Sequence, residues 1–454
     1  MSDENRTRKN DGDQTSDRLE KDDDYKFIKE TIKDKPLNKR VLFTKIAGFI
    51  GAGILFGAAA AVTFAGVFPA AENYLKQEEE PPKVNIPRDE PEVTATPAPV
   101  TDPPTPTPAP ATPIPETPSS VPEETREKLG LKDYENIYQE VLTISEEPRK
   151  ALVTVSGLSE QETVLDSTYL NSGQSVGIII VDNGSDLYVL TEKQATDDAA
   201  KIRVTLADGS IVDGRLQKSD GRTGLAVVLV AKEQLKKETQ ESISVAVLGN
   251  SYSLIQGKPV IAIGSPSGYH DSVSYGTITS VGNRVAVTDA EYNLLTTDIL
   301  GSSKGSGVLL DLNGEVIGII AQSYGTQDDD TKNMVKGLAV SQLKPLIEIL
   351  SNGEDIRYLG VKGQDVTEAI SQSTGIPQGV YVDGVEEDSP AMRSGIQSGD
   401  VIVKMNDEEV TTMQKYSSRL QKFRNGQKVR LTVMRSKGAE GYSALEIQLI
   451  IKVN

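Results

Sequence analysis

Between residues 150 and 322, short apolar runs alternate with turn residues, and this pattern predicts a mainly β structure. The runs include "KALVTVSG", "SVGIIIVDNG", "KIRVTLADGS", "LAVVLV" and "GVLLDLNGEVIGIIAQ". Several contain Asp-Gly or Asn-Gly pairs, which are typical of the tight turns that join neighbouring strands. Short strands at this spacing indicate a barrel or a sandwich.

Helical patterns flank the β region. "YENIYQEVLTI" is consistent with a short helix, and "SQLKPLIEIL" predicts a helix that ends near residue 350. Beyond it, strands are predicted around "YLGV", "GVYVDGV", "GDVIVKMN" and "KVRLTVMR", with a helix around "MQKYSSRLQKF". We therefore expect two folded domains, over residues 124–352 and 353–454, with a boundary near Gly353.

The N-terminal region has a different character. Residues 1–40 are highly charged and lack apolar periodicity, which predicts a disordered tail. Residues 46–71 carry no charge over 26 positions, and about 20 suffice to cross a bilayer as a helix. Six basic and two acidic residues in the flank 26–40 place the tail in the cytoplasm by the positive-inside rule. We predict one transmembrane helix within 41–72, in the cell membrane, with everything after it extracytoplasmic.

Residues 73–123 are acidic and then rich in Pro and Thr, as in "TPAPVTDPPTPTPAPATPIPETP". Proline at this density prevents regular ladders and favours an extended linker. Within the predicted span, Gly53, Gly57 and Ala61 form a stripe of small residues that could pack two spans into a dimer. Small residues are common in transmembrane helices in any case, so the alternative that the stripe has no role in dimerisation stays open.

Composition excludes several function classes. The formal net charge of −18 argues against a nucleic-acid partner, which would need a basic face. The chain contains no cysteine, so disulfides, thiolate metal sites and cysteine nucleophiles are excluded. His270 is its single histidine, so a His-rich zinc site is excluded and any Ser/His mechanism depends on that residue. We expect no metal and no cofactor.

Several runs follow one another in an order typical of a known family. They are "SDGRTGLAVVLV", "GKPVIAIGSPSGYHDSVSYGTITSV", "TTDILGSSKGSGVLLDLNGEVIGI" and "KGLAVSQLKPLIEIL". Residues 135–454 resemble the HtrA/Deg family of trypsin-like serine proteases, and the C-terminal part resembles the PDZ domain that these proteins carry. The resemblance implies a trypsin-like double β-barrel, a PDZ α+β domain and a Ser/His/Asp triad between the barrels. It also implies a trimer as the alternative to a dimer through the span.

The triad is carried over position by position. In "SSKGSGVLL" the family's nucleophile falls on Ser306. In "LTEKQA" the histidine position holds Gln194, and in "RTGLAV" the aspartate position holds Gly224. An amide cannot accept a proton near neutral pH, so the general base is absent. The aspartate that would orient it is absent as well.

Two further positions bear on catalysis. The family's oxyanion hole uses the backbone N–H groups of the serine and of the residue two before it, which here are Ser306 and Lys304. A lysine resists the strained backbone that a glycine accepts, so the hole is expected to be misformed. Lys193 and Lys304 are sequence-near candidates for a Ser–Lys pair, although ordinary surface charges explain both. We interpret His270 as an exposed loop histidine that does not belong to the triad.

The C-terminal unit keeps more of its family pattern. Tyr358, Leu359, Gly360 and Val361 match the loop whose backbone N–H groups receive a peptide's C-terminal carboxylate. On the predicted helix that follows, Tyr416 and Leu420 are weaker candidates for an apolar side-chain pocket. Residues at that spacing are more often core.

We therefore expect a membrane-tethered HtrA-like pseudoprotease that binds peptides or C-terminal tails of envelope proteins through its PDZ domain. Two alternatives stay open. One is an active serine endopeptidase of envelope protein quality control. The other is a structural tether, in which Ser306 is only a turn serine and the barrels are a scaffold.

Overall fold

A computed structural model describes residues 83–90, 130–158, 173–324 and 331–453, together with helical positions between 43 and 61. The predicted tail over 1–40 lies outside the described residues, and so does the Pro-rich stretch 91–123. The chain divides into two compact units, Met1–Pro81 and Pro82–Asn454. The trypsin-like and PDZ-like domains both belong to the second unit.

In the first unit, the described residues are helical at positions 43–44, 47–48, 50–59 and 61. None of the helices in the described part of the chain is both long enough and apolar enough to cross a bilayer. The transmembrane helix over 41–72 therefore stays a prediction, and part of that range lies outside the described residues.

Two closed barrels of six antiparallel strands form the trypsin-like domain, which confirms the predicted double barrel. The first has the order β1-β2-β3-β6-β5-β4. Its strands are β1 (Leu152–Leu158), β2 (Gln174–Asp182), β3 (Asp186–Glu192), β4 (Lys201–Thr205), β5 (Ile211–Asp220) and β6 (Leu225–Ala231). The second has the order β10-β11-β12-β9-β8-β7. Its strands are β7 (Pro259–Ser265), β8 (Ser272–Val287), β9 (Ala290–Leu300), β10 (Ser306–Leu310), β11 (Val316–Ile320) and β12 (Met334–Ala339).

The PDZ domain is built on a sheet of order β14-β15-β16-β18-β19, with β17 paired to β16, and a separate pair β13-β20. The strands are β13 (Arg357–Tyr358), β14 (Val361–Val366), β15 (Gly379–Val385), β16 (Val401–Met405), β17 (Glu408–Glu409), β18 (Lys428–Ser436), β19 (Tyr442–Ile450) and β20 (Lys452–Val453). In this sheet β14 is an edge strand, so it has a partner strand of the sheet on one side only.

Helices cover and connect these domains. They are α1 (Leu131–Arg149), α2 (Lys237–Ser242), α3 (Val340–Ser351), α4 (Glu368–Thr374), α5 (Pro390–Arg393) and α6 (Met413–Leu420). The predicted helices at "SQLKPLIEIL" and "MQKYSSRLQKF" are confirmed as α3 and α6. The helix predicted at "YENIYQEVLTI" is longer than its apolar pattern, because Asp133 Oδ2 accepts from Gly130 N at 2.6 Å and extends the helix start.

The segment 83–90, within the predicted linker, packs against α3. Val84 and Ile86 are buried, and Val84 exchanges two hydrogen bonds with the Asn352 side chain at 2.8 and 2.9 Å. The Asp89 carboxylate lies 2.8 Å from Lys344 Nζ, whose side chain is only 5% exposed. This part of the linker is therefore a strap on the barrel domain rather than an extended spacer.

We predict that Asp89→Asn lowers the free energy of unfolding by about 3 kcal/mol, because it leaves the Lys344 ammonium buried without an anionic partner. Denaturant unfolding of the full chain measures this change. Glu90→Gln makes the same chemical change at an exposed neighbour and should leave stability within about 0.5 kcal/mol. Equal midpoints for the two variants would contradict the role assigned to the strap.

Candidate functional site

Ser306 lies where the two barrels meet. It is the first residue of β10, pairs with Ser265 of β7 and is only 6% exposed. Its hydroxyl accepts a hydrogen bond at 3.3 Å from the backbone N–H of Val176, in β2 of the first barrel. The Val176 carbonyl in turn accepts from Thr191 Oγ1 at 3.3 Å. The hydroxyl of Ser306 therefore ties one barrel to the other.

The glycines on either side of Ser306 are required by close backbone packing. A Cβ atom at Gly307 would lie 2.1 Å from the Ile263 carbonyl oxygen, and the φ angle there is +126°. A Cβ atom at Gly305 would lie 2.4 Å from the Pro266 carbonyl oxygen. Both contacts are to backbone, which cannot give way as a side chain can. The Gly-Ser-Gly pattern is therefore explained by packing of β7 against β10, whether or not the serine reacts.

The positions matched to the histidine and the aspartate adjoin one another. The backbone N–H of Lys193 donates to the Gly224 carbonyl at 2.7 Å, which brings the turn after β3 against the loop before β6. Gln194 is exposed, and its Nε2 donates to Glu192 Oε2. The two matched positions are thus brought close together, and they hold Gln194 and Gly224.

No histidine, lysine or carboxylate among the described residues hydrogen-bonds the Ser306 hydroxyl. The Lys193 ammonium pairs with Asp197, and the Lys304 side chain is exposed. His270 is exposed and lines a cavity of about 540 Å³ together with Arg149, Val176 and Gly264. Among the described residues, neither lysine candidate nor the histidine contacts Ser306, as expected if both lysines are surface charges.

The backbone N–H of Lys304, predicted as an oxyanion donor, already has a partner. It donates to Ser302 Oγ at 3.2 Å, while the Ser302 carbonyl accepts from Gly305 N at 2.8 Å. The turn 302–305 therefore satisfies its own polar groups. Lys304 is absent from the positive-φ residues, so the lysine avoids the strained backbone that a glycine could adopt.

Sequence reasoning missed a buried cluster close to Gly224. Asp220 is 2% exposed and accepts from Arg222 Nε and Thr223 Oγ1, both at 2.9 Å. Tyr324 Oη donates to the Arg222 carbonyl at 3.0 Å, and burial with the nearby Asp220 charge raises the pKa of Tyr324 to about 12. The run "SDGRTG" contains Asp220, but nothing in the sequence distinguishes a buried aspartate from a turn aspartate there.

Sequence reasoning also missed Glu192, an acid that is partly buried. Burial raises the pKa of the Glu192 carboxyl, and the hydrogen bond from Gln194 acts in the opposite direction. The Gln194 side-chain amide thus hydrogen-bonds the nearby Glu192 carboxylate. It is not free to support Ser306.

The loop predicted to receive a peptide's terminal carboxylate holds a side-chain carboxylate of the same chain. The backbone N–H groups of Leu359, Gly360 and Val361 donate to the side-chain carboxylate of Asp289 at 2.8, 2.9 and 3.0 Å. Tyr416 Oη donates to the same carboxylate at 2.8 Å. Asp289 is 0% exposed. It lies between β8 and β9 of the second barrel, so the trypsin-like domain fills the loop of the PDZ domain.

The other residues predicted for the PDZ groove divide into two groups. Tyr416 and Leu420 are fully buried members of the PDZ core, and only the Tyr416 hydroxyl reaches the loop. Burial and the adjacent Asp289 charge raise the pKa of Tyr416. Tyr358 is half-buried in β13 and supplies none of the N–H groups that hold the carboxylate.

Comparison with known proteins agrees with this architecture. The model of the trypsin-like peptidase domain matches residues 176–319, and that of the PDZ domain matches residues 357–444. Fold and matches together define a trypsin-like peptidase domain joined to a PDZ domain. The chain belongs to the HtrA/Deg family.

Two relatives illustrate the similarity. Serine protease Do-like HtrB of Bacillus subtilis is 30% identical over 284 residues, which cover 57% of this chain and 60% of the relative. Serine endoprotease DegS of Haemophilus influenzae is 30% identical over 264 residues, covering 57% and 72%. A solved structure of the HtrA-type protease AlgW with tripeptide is 24% identical, with a TM-score of 0.49, and covers 70% of this chain and 97% of that one.

We predict that Ser306→Ala lowers the free energy of unfolding by about 2 kcal/mol, since it leaves the buried Val176 N–H without its acceptor. Denaturant midpoints of the full chain measure the change. Ser303→Ala is the matched control, because Ser303 is exposed in the same turn. If both variants unfold at the wild-type midpoint, the hydroxyl of Ser306 does not stabilise the contact between the barrels.

Proposed function

We propose that this protein is a catalytically inactive member of the HtrA/Deg family that binds peptides through its PDZ domain. In this proposal it is tethered to the cell membrane by one span and acts outside the cytoplasm. Its partners are peptides or C-terminal tails of envelope proteins, and its role is that of an adaptor or sensor in protein quality control. The tether rests on the uncharged stretch 46–71 and its basic flank.

The observation that carries the proposal of inactivity is the environment of Ser306. A serine hydroxyl is a weak nucleophile until a base accepts its proton. Here the hydroxyl accepts a hydrogen bond from Val176 N, and Gln194 and Gly224 occupy the positions of the base and its orienting acid. Catalysis also requires backbone N–H groups that are free to bind the oxyanion. The Lys304 N–H instead donates to Ser302 Oγ.

Peptide binding is supported by the chemistry of the loop 359–361. Its three backbone N–H groups converge on one carboxylate at hydrogen-bonding distance. The adjacent edge strand β14 has the geometry for pairing with an extended peptide. Both features suit a ligand that ends in a free carboxylate.

An active serine endopeptidase is the competing function, because the relatives are named serine proteases. The two are separated by a fluorophosphonate probe, which reacts only with an activated serine. We expect the full chain to be labelled no more than its Ser306→Ala variant, and to leave unfolded casein intact. Labelling of the wild type alone would establish an active nucleophile and overturn the proposal.

Peptide binding is tested with a C-terminal peptide library and the full chain. We expect members with a free terminal carboxylate to bind at least tenfold more tightly than the same peptides with an amidated C-terminus. Amidation removes the charge and one acceptor while leaving the side chains unchanged. Equal binding of the two forms would exclude recognition by the loop 359–361.

A further inference from the structure

The tip of the β8–β9 hairpin, residues 284–291, lies in the groove of the PDZ domain. We call this segment the docked hairpin. It contacts the PDZ domain through three polar side chains. Thr288 Oγ1 donates to Glu386 Oε1 at 2.8 Å, Arg284 Nη1 lies 3.0 Å from Asp365 Oδ2, and Asp289 enters the loop 359–361.

Asp289 offers the loop two groups at once. Its side-chain carboxylate receives the N–H groups of residues 359–361, and its own backbone N–H donates to the Val361 carbonyl at 2.7 Å. A peptide's last residue likewise carries an N–H group next to a carboxylate. The strand edge can pair with that N–H while the loop binds the carboxylate. Asp289 therefore presents the chemical pattern of a chain terminus from within a turn.

The backbone conformation at Asp289 allows its side chain to enter the loop. Its φ angle is +61°, a left-handed conformation that aspartate tolerates better than most residues. This conformation belongs to the turn between Val287 and Ala290, which closes the hairpin. The tight turn allows a side chain to enter the loop while both flanking strands remain in the barrel.

The carboxylate is buried with its donors rather than with a counter-ion in direct contact. Four donors, three from backbone and one from Tyr416, satisfy it. The nearest buried cation is Arg222, whose Nη1 donates to the Thr288 carbonyl at 3.2 Å. Arg222 also holds Asp220 in the loop that ends at Gly224. The docked hairpin thus contacts both the PDZ groove and the loop that carries the aspartate position of the triad.

We infer that Asp289 is an internal ligand of the PDZ loop, and that a C-terminal peptide binds only by displacing the docked hairpin. This inference deepens the proposed function and rests on it. An intramolecular ligand acts at a high effective concentration, so it weakens the apparent affinity for an external peptide. The apparent dissociation constant rises as the fraction of molecules with an open loop falls.

A bound peptide would also change contacts between the second barrel and the PDZ domain. Displacing the hairpin would remove Thr288 from Glu386 and Arg284 from Asp365, so these two contacts between the second barrel and the PDZ domain would be lost. The Arg222 contact to the Thr288 carbonyl links that event to the loop 220–224.

The test uses the full chain and the Asp289→Ala variant, probed with the free-carboxylate peptide library. Removing the internal carboxylate should tighten binding of the free-carboxylate peptides at least tenfold. Asp407→Ala is the matched control, since it removes an equal charge from a PDZ side chain that is 90% exposed. If wild type and Asp289→Ala bind the library equally tightly, the internal ligand does not compete and the inference fails.

Hydrogen exchange read by mass spectrometry separates this inference from the proposed function. The amide N–H groups of residues 359–361 should exchange at least tenfold faster in Asp289→Ala than in the wild type. Unchanged exchange would overturn the internal ligand, whatever the peptides do. Faster exchange without binding of any peptide would support the internal ligand and refute peptide recognition. Asp289→Asn, which keeps the shape and removes the charge, should give intermediate exchange and serves if the alanine variant does not fold.

Discussion

The arrangement of the trypsin-like and PDZ domains depends on one buried carboxylate. Asp289 is inaccessible to solvent and is held by three backbone N–H groups and one tyrosine hydroxyl of the PDZ domain. A buried carboxylate without donors would be strongly unfavourable, and three buried N–H groups without an acceptor would be costly as well. The carboxylate of Asp289 and the N–H groups of the loop therefore satisfy each other's hydrogen-bonding needs. The interaction fixes the second barrel against the PDZ domain.

Ser306 is a second residue that joins two parts of this unit, and its contacts are explained by packing alone. The barrels still meet at this residue, and the glycines beside it are still required by contacts with Ile263 and Pro266. The hydroxyl that a protease would activate instead accepts a hydrogen bond from Val176. The Gly-Ser-Gly motif is thus required by packing, whether or not Ser306 reacts.

The sequence predicts the parts of this molecule that local pattern determines. Alternating apolar runs and Asn-Gly or Asp-Gly turns indicate the barrels, and the spacing of family runs places Ser306, Gln194 and Gly224. The loop 359–361 is predicted as a carboxylate site because residues 358–361 match the motif of the family's PDZ domain. Each of these predictions uses residues that are close in the chain.

The remaining features depend on pairing between distant residues. Asp289 lies 70 positions from Leu359, and "VTDAE" reads as an ordinary turn. The strap residue Asp89 meets Lys344 across 255 positions, within a stretch whose prolines predict only an extended linker. The hydrogen bond of Lys304 N to Ser302 Oγ is local, yet it depends on a side-chain rotamer that composition and spacing do not determine.

The most direct test of the internal ligand is an electron-density map of residues 284–291 and 358–361, from crystals grown with and without a saturating free-carboxylate peptide. Without peptide, we expect the Asp289 carboxylate within hydrogen-bonding distance of the N–H groups of Leu359, Gly360 and Val361. With peptide, its terminal carboxylate should replace that of Asp289, and the docked hairpin should leave the groove. A peptide-free map in which the loop is empty and Asp289 faces solvent would contradict the account.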